Sequence, residues 1–394
     1  MEDVLVLARW ARKHSEFYQK LYQGKRLRGV RDLPVVEKDD LVERGILDRE
    51  IFTSSLAGVT GLHSGGTSGR PVLSYYTEGE LREVIHDLGV AYSRAGLHSK
   101  DRVANLFVTG YLYASFLLVH GALVELRVVN YPLSHLVPVD EVARFLESLE
   151  VTAVVGISSH VKLVLDHLAT DPNGYRGLRK VFYAGEVFTE PDRRRYVDLL
   201  GLEFLRSGGY GAVDAGLMAY QCPYQTGGEH HPFATFHLEV VDPETLSPCR
   251  EGEVGDVLIT DLRRRFMPLI RYRIGDRGSL RSYACGCGRK DQTVCILGRS
   301  NDYVQGRFRK VFYDEVEAAL DGQVDALQLV QRGDRVILRV EVMGGKARAR
   351  ETRDWCRERL AHLPLRLFRL DVLSNGGLPR HPKTGKLQRV VREA

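Results

Sequence analysis

Long apolar runs are missing from this 394-residue chain: none approaches the ~20 residues that span a bilayer. A membrane-spanning helix is thereby excluded, and no membrane partner is expected. The start, Met1-Glu2-Asp3-Val4, has neither the basic residues nor the apolar stretch of a signal peptide, so the expected location is the cytoplasm. No basic stripe interleaved with aromatics occurs, which argues against nucleic acid as a partner. A formal net charge of +5 over this length reads as a solvated surface. Internal repeats and low-complexity linkers are also lacking, so any hinge between domains must be short. Cysteine is sparse, six residues, and in a cytosolic chain that argues against a disulfide framework.

What is present fits an ordinary globular protein: 44% hydrophobic and 27% charged residues, with length enough for two domains. Helical periodicity runs from about Val4 to Tyr22, over Glu78–Ala95 and over Pro138–Leu149. Apolar, β-rich runs lie at Val103–Val108, Leu126–Tyr131, Val151–Ile157 and Val181–Tyr183. Strands alternating with helices predict a layered α/β body with a parallel sheet. From about Thr235 to Leu297 short β-rich runs and turns predict a β subdomain. After Gly298 the pattern becomes helix Val311–Leu320, strands Ala326–Gln331 and Val336–Val342, helix Ala347–Leu360 and strand Leu365–Leu373. The expected division is therefore 1–298 for the large domain and 299–394 for a small α+β domain.

Several segments carry chemistry. Ser64-Gly65-Gly66-Thr67-Ser68-Gly69-Arg70-Pro71 is rich in glycine and hydroxyls, which lets backbone amides and side chains approach a polyanion. It lacks the Gly-Lys-Ser/Thr ending of the P-loop. In Tyr210-Gly211-Ala212-Val213-Asp214 the ring is suited to stack on a purine and the carboxylate to hold Mg2+ on phosphates, although a packing role for Tyr210 is the commoner use of such a residue. Asp276, after Arg271-Tyr272-Arg273-Ile274-Gly275, is suited to accept from both hydroxyls of a ribose. Cys285-Gly286-Cys287 offers two soft metal ligands from one turn, and Cys222 with His230 offers a second pair, with His231 competing. A structural Zn2+ is the ion that such a set would hold. Ordinary buried thiols are the alternative.

The series Ser64–Pro71, Tyr210–Asp214, Pro268–Asp276, Gly298-Arg299-Ser300-Asn301-Asp302 and Pro379-Arg380-His381-Pro382-Lys383-Thr384-Gly385-Lys386-Leu387-Gln388-Arg389 resembles that of the adenylate-forming acid ligases. Within them it looks most like the phenylacetate-CoA ligase branch. The resemblance implies an adenylate-forming N-terminal domain and a mobile C-terminal domain, with a pivot near Asp302. It makes Ser64–Arg70 the phosphate loop, with Arg70 where relatives have Lys. Asp214 stands where they usually have Glu, and Asn301-Asp302 where they commonly have two acids. Ala184-Gly185-Glu186 would line the adenine and acid pockets, Asp276 would receive the ribose, and Arg299 would face the phosphate. Lys386 would be the catalytic lysine, stabilising charge on the α-phosphate and the carboxylate oxygen. Relatives carry similar Cys, His and Cys-x-Cys elements, and there the preferred histidine is His230, nine residues before Glu239. Segments matching the acid pocket contribute Tyr111, Tyr113, Tyr131, Gly208 and Tyr210, a ring content that suits a small aromatic or flat acid.

The resulting expectation is an enzyme that uses ATP to convert a carboxylic acid to an acyl-adenylate and then passes the acyl group to coenzyme A. Transfer to an amine, and a degenerate nucleotide-binding module, are the alternatives. The partners expected are the acid and an acyl acceptor, with a homodimer as the oligomeric state allowed for.

Overall fold

The computed structural model of the chain describes residues 2–63, 73–320, 324–342, 349–374, 377–380 and 387–393. Two compact units result. One comprises Met1–Val187 and Leu200–Ile296, the other Phe188–Leu199 and Leu297–Ala394.

The first unit is built around a five-stranded parallel sheet in the order Val129–Tyr131, Arg102–Leu106, Ala153–Ile157, Lys180–Ala184, Phe204–Ser207. Its central strands are buried on both faces, as Ala153–Ile157 is throughout. That is why they read as continuous apolar runs rather than as alternation. Below the sheet, Lys180 Nζ lies 2.9 Å from Asp101 Oδ2, with both side chains at most 5% exposed, and ties two strand starts together. The other ends of the strands, the carboxyl ends, open into loops. In open α/β sheets this is the edge where ligands bind.

A seven-stranded sheet completes the unit, in the order Phe236–Val241, Gly255–Asp261, Tyr272–Ser282, Gln292–Arg299, Glu229–Pro232, Gly216–Tyr220, Tyr210–Ala212. This is the β subdomain expected after Thr235, extended by three strands earlier in the chain. Helix Glu78–Arg94 starts on a capping box: Thr77 Oγ1 accepts from Glu80 N at 3.2 Å, and Glu80 Oε2 accepts from Thr77 N at 2.9 Å. The amino-terminal periodicity splits at Ser15 into helices Glu2–His14 and Glu16–Leu21, because the Ser15 hydroxyl caps the second.

The second unit holds a four-stranded sheet, Leu367–Leu373, Arg335–Glu341, Ala326–Arg332, Val390–Glu393, with its own apolar core around Val316, Leu329, Leu338 and Leu360. The expected helix Val311–Leu320 is a strand, Lys310–Phe312, followed by helix Tyr313–Ala319. Among the described residues no helix is long and apolar enough to cross a membrane.

Candidate active site

Two turns lie side by side at the carboxyl edge of the parallel sheet. Ala184-Gly185-Glu186 leaves one strand with Gly185 at φ 104°. Ser158 Oγ fixes it by donating to Ala184 O at 3.0 Å and Glu186 O at 2.5 Å. Gly208-Gly209 leaves the neighbouring strand, and Gly208 N donates to Tyr183 O at 2.8 Å. Gly209 has φ 137°, and a Cβ there would lie 2.7 Å from Leu217 Cδ1 and 2.8 Å from Ala219 O. Only glycine can make that turn.

Tyr210 follows directly. It is 8% exposed and its ring is part of the main core, so packing is one of its uses. Its hydroxyl has another: it donates to Asp276 Oδ2 at 2.7 Å, across 66 residues of sequence. Asp276 is itself 8% exposed. Gly211, next on the strand, is exposed, and a Cβ there would lie 2.8 Å from Gly216 O.

Asp214 is buried and held from several sides. Tyr272 donates its hydroxyl to Asp214 Oδ2 at 3.1 Å. Tyr76 donates to the preceding carbonyl, Val213 O, at 2.5 Å. The guanidinium of Arg264, 1% exposed, donates to Asp214 O and to Tyr75 O at 2.9 Å while stacking 4.0 Å over the Tyr76 ring. Tyr76, Arg264 and Tyr272 were not singled out from the sequence. Tyr272 stands within the segment Arg271-Tyr272-Arg273-Ile274-Gly275-Asp276, and its place between two arginines is the sequence signal it carries.

Tyr111 is 66% exposed on the loop after strand Arg102–Leu106. Gly110, Tyr111 and Leu112 all have positive φ, 75°, 48° and 61°. Left-handed backbone at a non-glycine residue costs roughly 1–2 kcal/mol, and such geometry concentrates at functional loops. Tyr131 has a basic partner. Its hydroxyl accepts from Arg102 Nη2 at 2.8 Å, and the guanidinium lies 5.9 Å from its ring. Arg102 begins its strand opposite Val129.

The metal set differs from the expected one in its histidine. Cys222, His231, Cys285 and Cys287 bring four donor atoms within 4.8 Å of one another. Cys222 Sγ and Cys285 Sγ are 3.6 Å apart, and Cys287 Sγ is 3.3 Å from His231 Nε2. Tetrahedral zinc–thiolate bonds of about 2.3 Å place sulfurs roughly 3.7 Å apart, so the set fits Zn2+. His231 is fully buried, and its Nδ1 has no hydrogen-bond partner among the described residues. His230 is not in the set. Glu229–Pro232 is a strand, and neighbouring side chains on a strand face opposite ways. His230 therefore turns from the cysteines towards Ser207 Oγ, 3.0 Å from its Nε2, and burial pushes its pKa down to about 4. Burial pushes the Cys222 thiol up to about 12.

Arg299 is exposed at the end of strand Gln292–Arg299, within which the chain passes into the second unit, and Asp302 N donates to Arg299 O at 3.2 Å. Ser64, Gly65, Gly66, Thr67, Ser68, Gly69 and Arg70, and also Lys386, lie outside the described residues.

No protein-family model matches the chain. The phenylacetate-coenzyme A ligase of Thermus thermophilus is 27% identical over 361 residues, covering 86% of this chain and 80% of the relative. A crystal structure of 2-hydroxyisobutyryl-CoA ligase in the postadenylation state superposes with TM-score 0.79 at 19% identity, over 100% of this chain and 88% of that one. The same ligase with an acyl-AMP and CoA, in the thioesterification state, gives TM-score 0.62 at 20% identity, again over 100% and 88%. The chain is a homologue of the phenylacetate-CoA ligases with the adenylate-forming fold. The crystallographic likeness is one of fold. The homology extends over most of the chain.

Proposed function

We propose that the chain is an AMP-forming acid-CoA ligase. The carboxylate oxygen of an acid attacks the α-phosphorus of ATP, the bond to the β-phosphate oxygen breaks, and pyrophosphate leaves with the electron pair. The thiol of coenzyme A then attacks the acyl carbon, AMP leaves, and the thiol proton passes to solvent. The observation that carries this reading is the buried Tyr210–Asp276 pair beside the Gly208-Gly209 and Ala184–Glu186 turns. It sets an aromatic ring and a carboxylate together at the ligand edge of the sheet, in a homologue of acid-CoA ligases.

Asp276 would receive the ribose hydroxyls. The Ala184–Glu186 and Gly208–Tyr210 turns would wall the adenine and the acid, with Tyr111 on the loop beside them. Ser64–Arg70 would cradle the phosphates. Arg299 and Lys386 would supply positive charge where it develops in adenylation, with residues 299–394 as the domain that carries them. Asp214 would hold Mg2+, which when bound neutralises phosphate charge. Cys222, His231, Cys285 and Cys287 would hold a structural Zn2+ that joins the end of strand Gly216–Tyr220 and the strand Glu229–Pro232 to the turn after Tyr272–Ser282. The acid is proposed to be small and flat or aromatic.

The test separates the half-reactions. Lys386→Ala should nearly abolish acid-dependent ATP–pyrophosphate exchange, yet keep much of the transfer to coenzyme A when a synthetic acyl-adenylate is supplied. Equal loss of both halves together with a lower thermal midpoint would assign Lys386 to folding. Normal exchange would remove it from the mechanism.

A further inference from the structure

Asp276 is a nearly buried carboxylate, and a buried carboxylate holds its place through the donors that reach it. One of these is the Tyr210 hydroxyl at 2.7 Å. What holds Tyr210 can be followed backwards through the structure. Gly209, just before it, donates its N–H to Ser207 Oγ at 3.1 Å, which locks the turn. Ser207 is 6% exposed, and its own N–H is taken by Gln221 Oε1 at 2.9 Å. The Ser207 hydroxyl faces two acceptors, His230 Nε2 at 3.0 Å and Gly209 O at 3.3 Å.

The tautomer of His230 decides between them. Its Nδ1 lies 2.8 Å from Gly228 O, and a carbonyl only accepts. Nδ1 therefore carries the proton in the neutral ring, Nε2 is bare, and Nε2 accepts from Ser207. Every contact from Gly228 to the Gly209 amide then has one donor and one acceptor. His230 is 4% exposed, and its ring lies 6.3 Å from that of Tyr210. The sequence reading gave His230 to the metal. The structure gives it this other task, on the face of the strand opposite His231.

We propose that Ser207, His230 and the Tyr210 hydroxyl form a positioning relay that presets Asp276, so that preference for a ribose nucleotide is set by groups that do not touch the sugar. The relay rests on the acid-ligase reading for the role of Asp276. It adds residues that would otherwise count only as packing.

The experiment is calorimetric titration of the full chain with ATP and with 2′,3′-dideoxy-ATP, which lacks both sugar hydroxyls. The wild-type chain should prefer ATP. Tyr210→Phe keeps the ring and removes the hydroxyl. It should weaken ATP about tenfold, the scale of one charge-assisted hydrogen bond, and change dideoxy-ATP less than about twofold. Ser207→Ala should shift ATP in the same direction by a smaller factor. In an Asp276→Asn background Tyr210→Phe should add little, because coupled sites are not additive. Equal losses for the two nucleotides, or full additivity with Asp276→Asn, would overturn the relay. Two wild-type results separate the levels of the argument. Equal affinity for the two nucleotides with normal acid-dependent pyrophosphate release would overturn the relay and leave the ligase reading standing. Absence of that release would overturn both.

Discussion

Two buried aspartates in the body are each met by a tyrosine hydroxyl, Asp276 by Tyr210 and Asp214 by Tyr272. A carboxylate placed in this way binds a ligand without having to be ordered first. Asp276→Ala should therefore cost ATP binding about tenfold or more and leave dideoxy-ATP nearly unchanged, as read by the same titration. At the metal set, His231→Ala and Cys285→Ser should drop zinc well below one per chain in elemental analysis of untagged protein, whereas His230→Ala should keep it. Zinc retained in His231→Ala and lost in His230→Ala would restore the expected ligand. That choice illustrates what a sequence conveys. The cysteines were legible because Cys-Gly-Cys is a local signature. The histidine was not, because His230 and His231 differ only in which face of a strand they take, and the register that decides it is set by pairing with Tyr220 and Val294.

At the level of elements, the helix Glu78–Arg94 depends on a single acid with two duties. Glu80 Oε2 completes the capping box, while Oε1 accepts from the amides of Arg265 and Phe266, both at 2.9 Å. Thr77→Ala should lower stability by about 1 kcal/mol. Glu80→Ala should cost about twice that, since two further amides lose their acceptor. Thermal midpoints of the two variants check the order. The helix Ser158–Thr170 contributes to acid dependence through His160, alongside the buried His230 of strand Glu229–Pro232. Burial, then the nearby His135, pushes His160 down to about 4. A histidine depressed in the folded state contributes stability above its unfolded pKa near 6.5 and loses it as pH falls towards 4. The midpoint should fall between pH 6.5 and 4, and His160→Asn should flatten that slope. An unchanged slope would contradict the assignment. Four of the five strands of the parallel sheet and the helices Glu78–Arg94 and Val139–Ser148 were readable from apolar runs and periodicity, whereas the strand Phe204–Ser207 and the helices Ser115–Glu125 and Ser158–Thr170 were not. The strand Tyr210–Ala212 and the terminal strand Val390–Glu393 were not, because each is short and exists only through its partners.

For the whole molecule, the order of five short segments was more informative than any composition. Gly-rich, Tyr-Gly, Arg-Tyr-Arg-x-Gly-Asp, Gly-Arg and Gly-Lys stretches are each commonplace, and their sequence along one chain carried the resemblance to adenylate-forming ligases. The fold and the homology agree with it. The chemistry of the acid was the least legible property, because no local pattern dictates the direction of a loop side chain. The most direct test of the central claim is therefore a product analysis across a panel of carboxylic acids, aromatic and aliphatic, incubated with the purified chain, ATP, Mg2+ and coenzyme A. The account predicts acid-dependent formation of AMP and pyrophosphate together with an acyl-CoA thioester identified by mass. Release of ADP, absence of any acid-dependent turnover, or an amide formed from an added amine in preference to the thioester would contradict it.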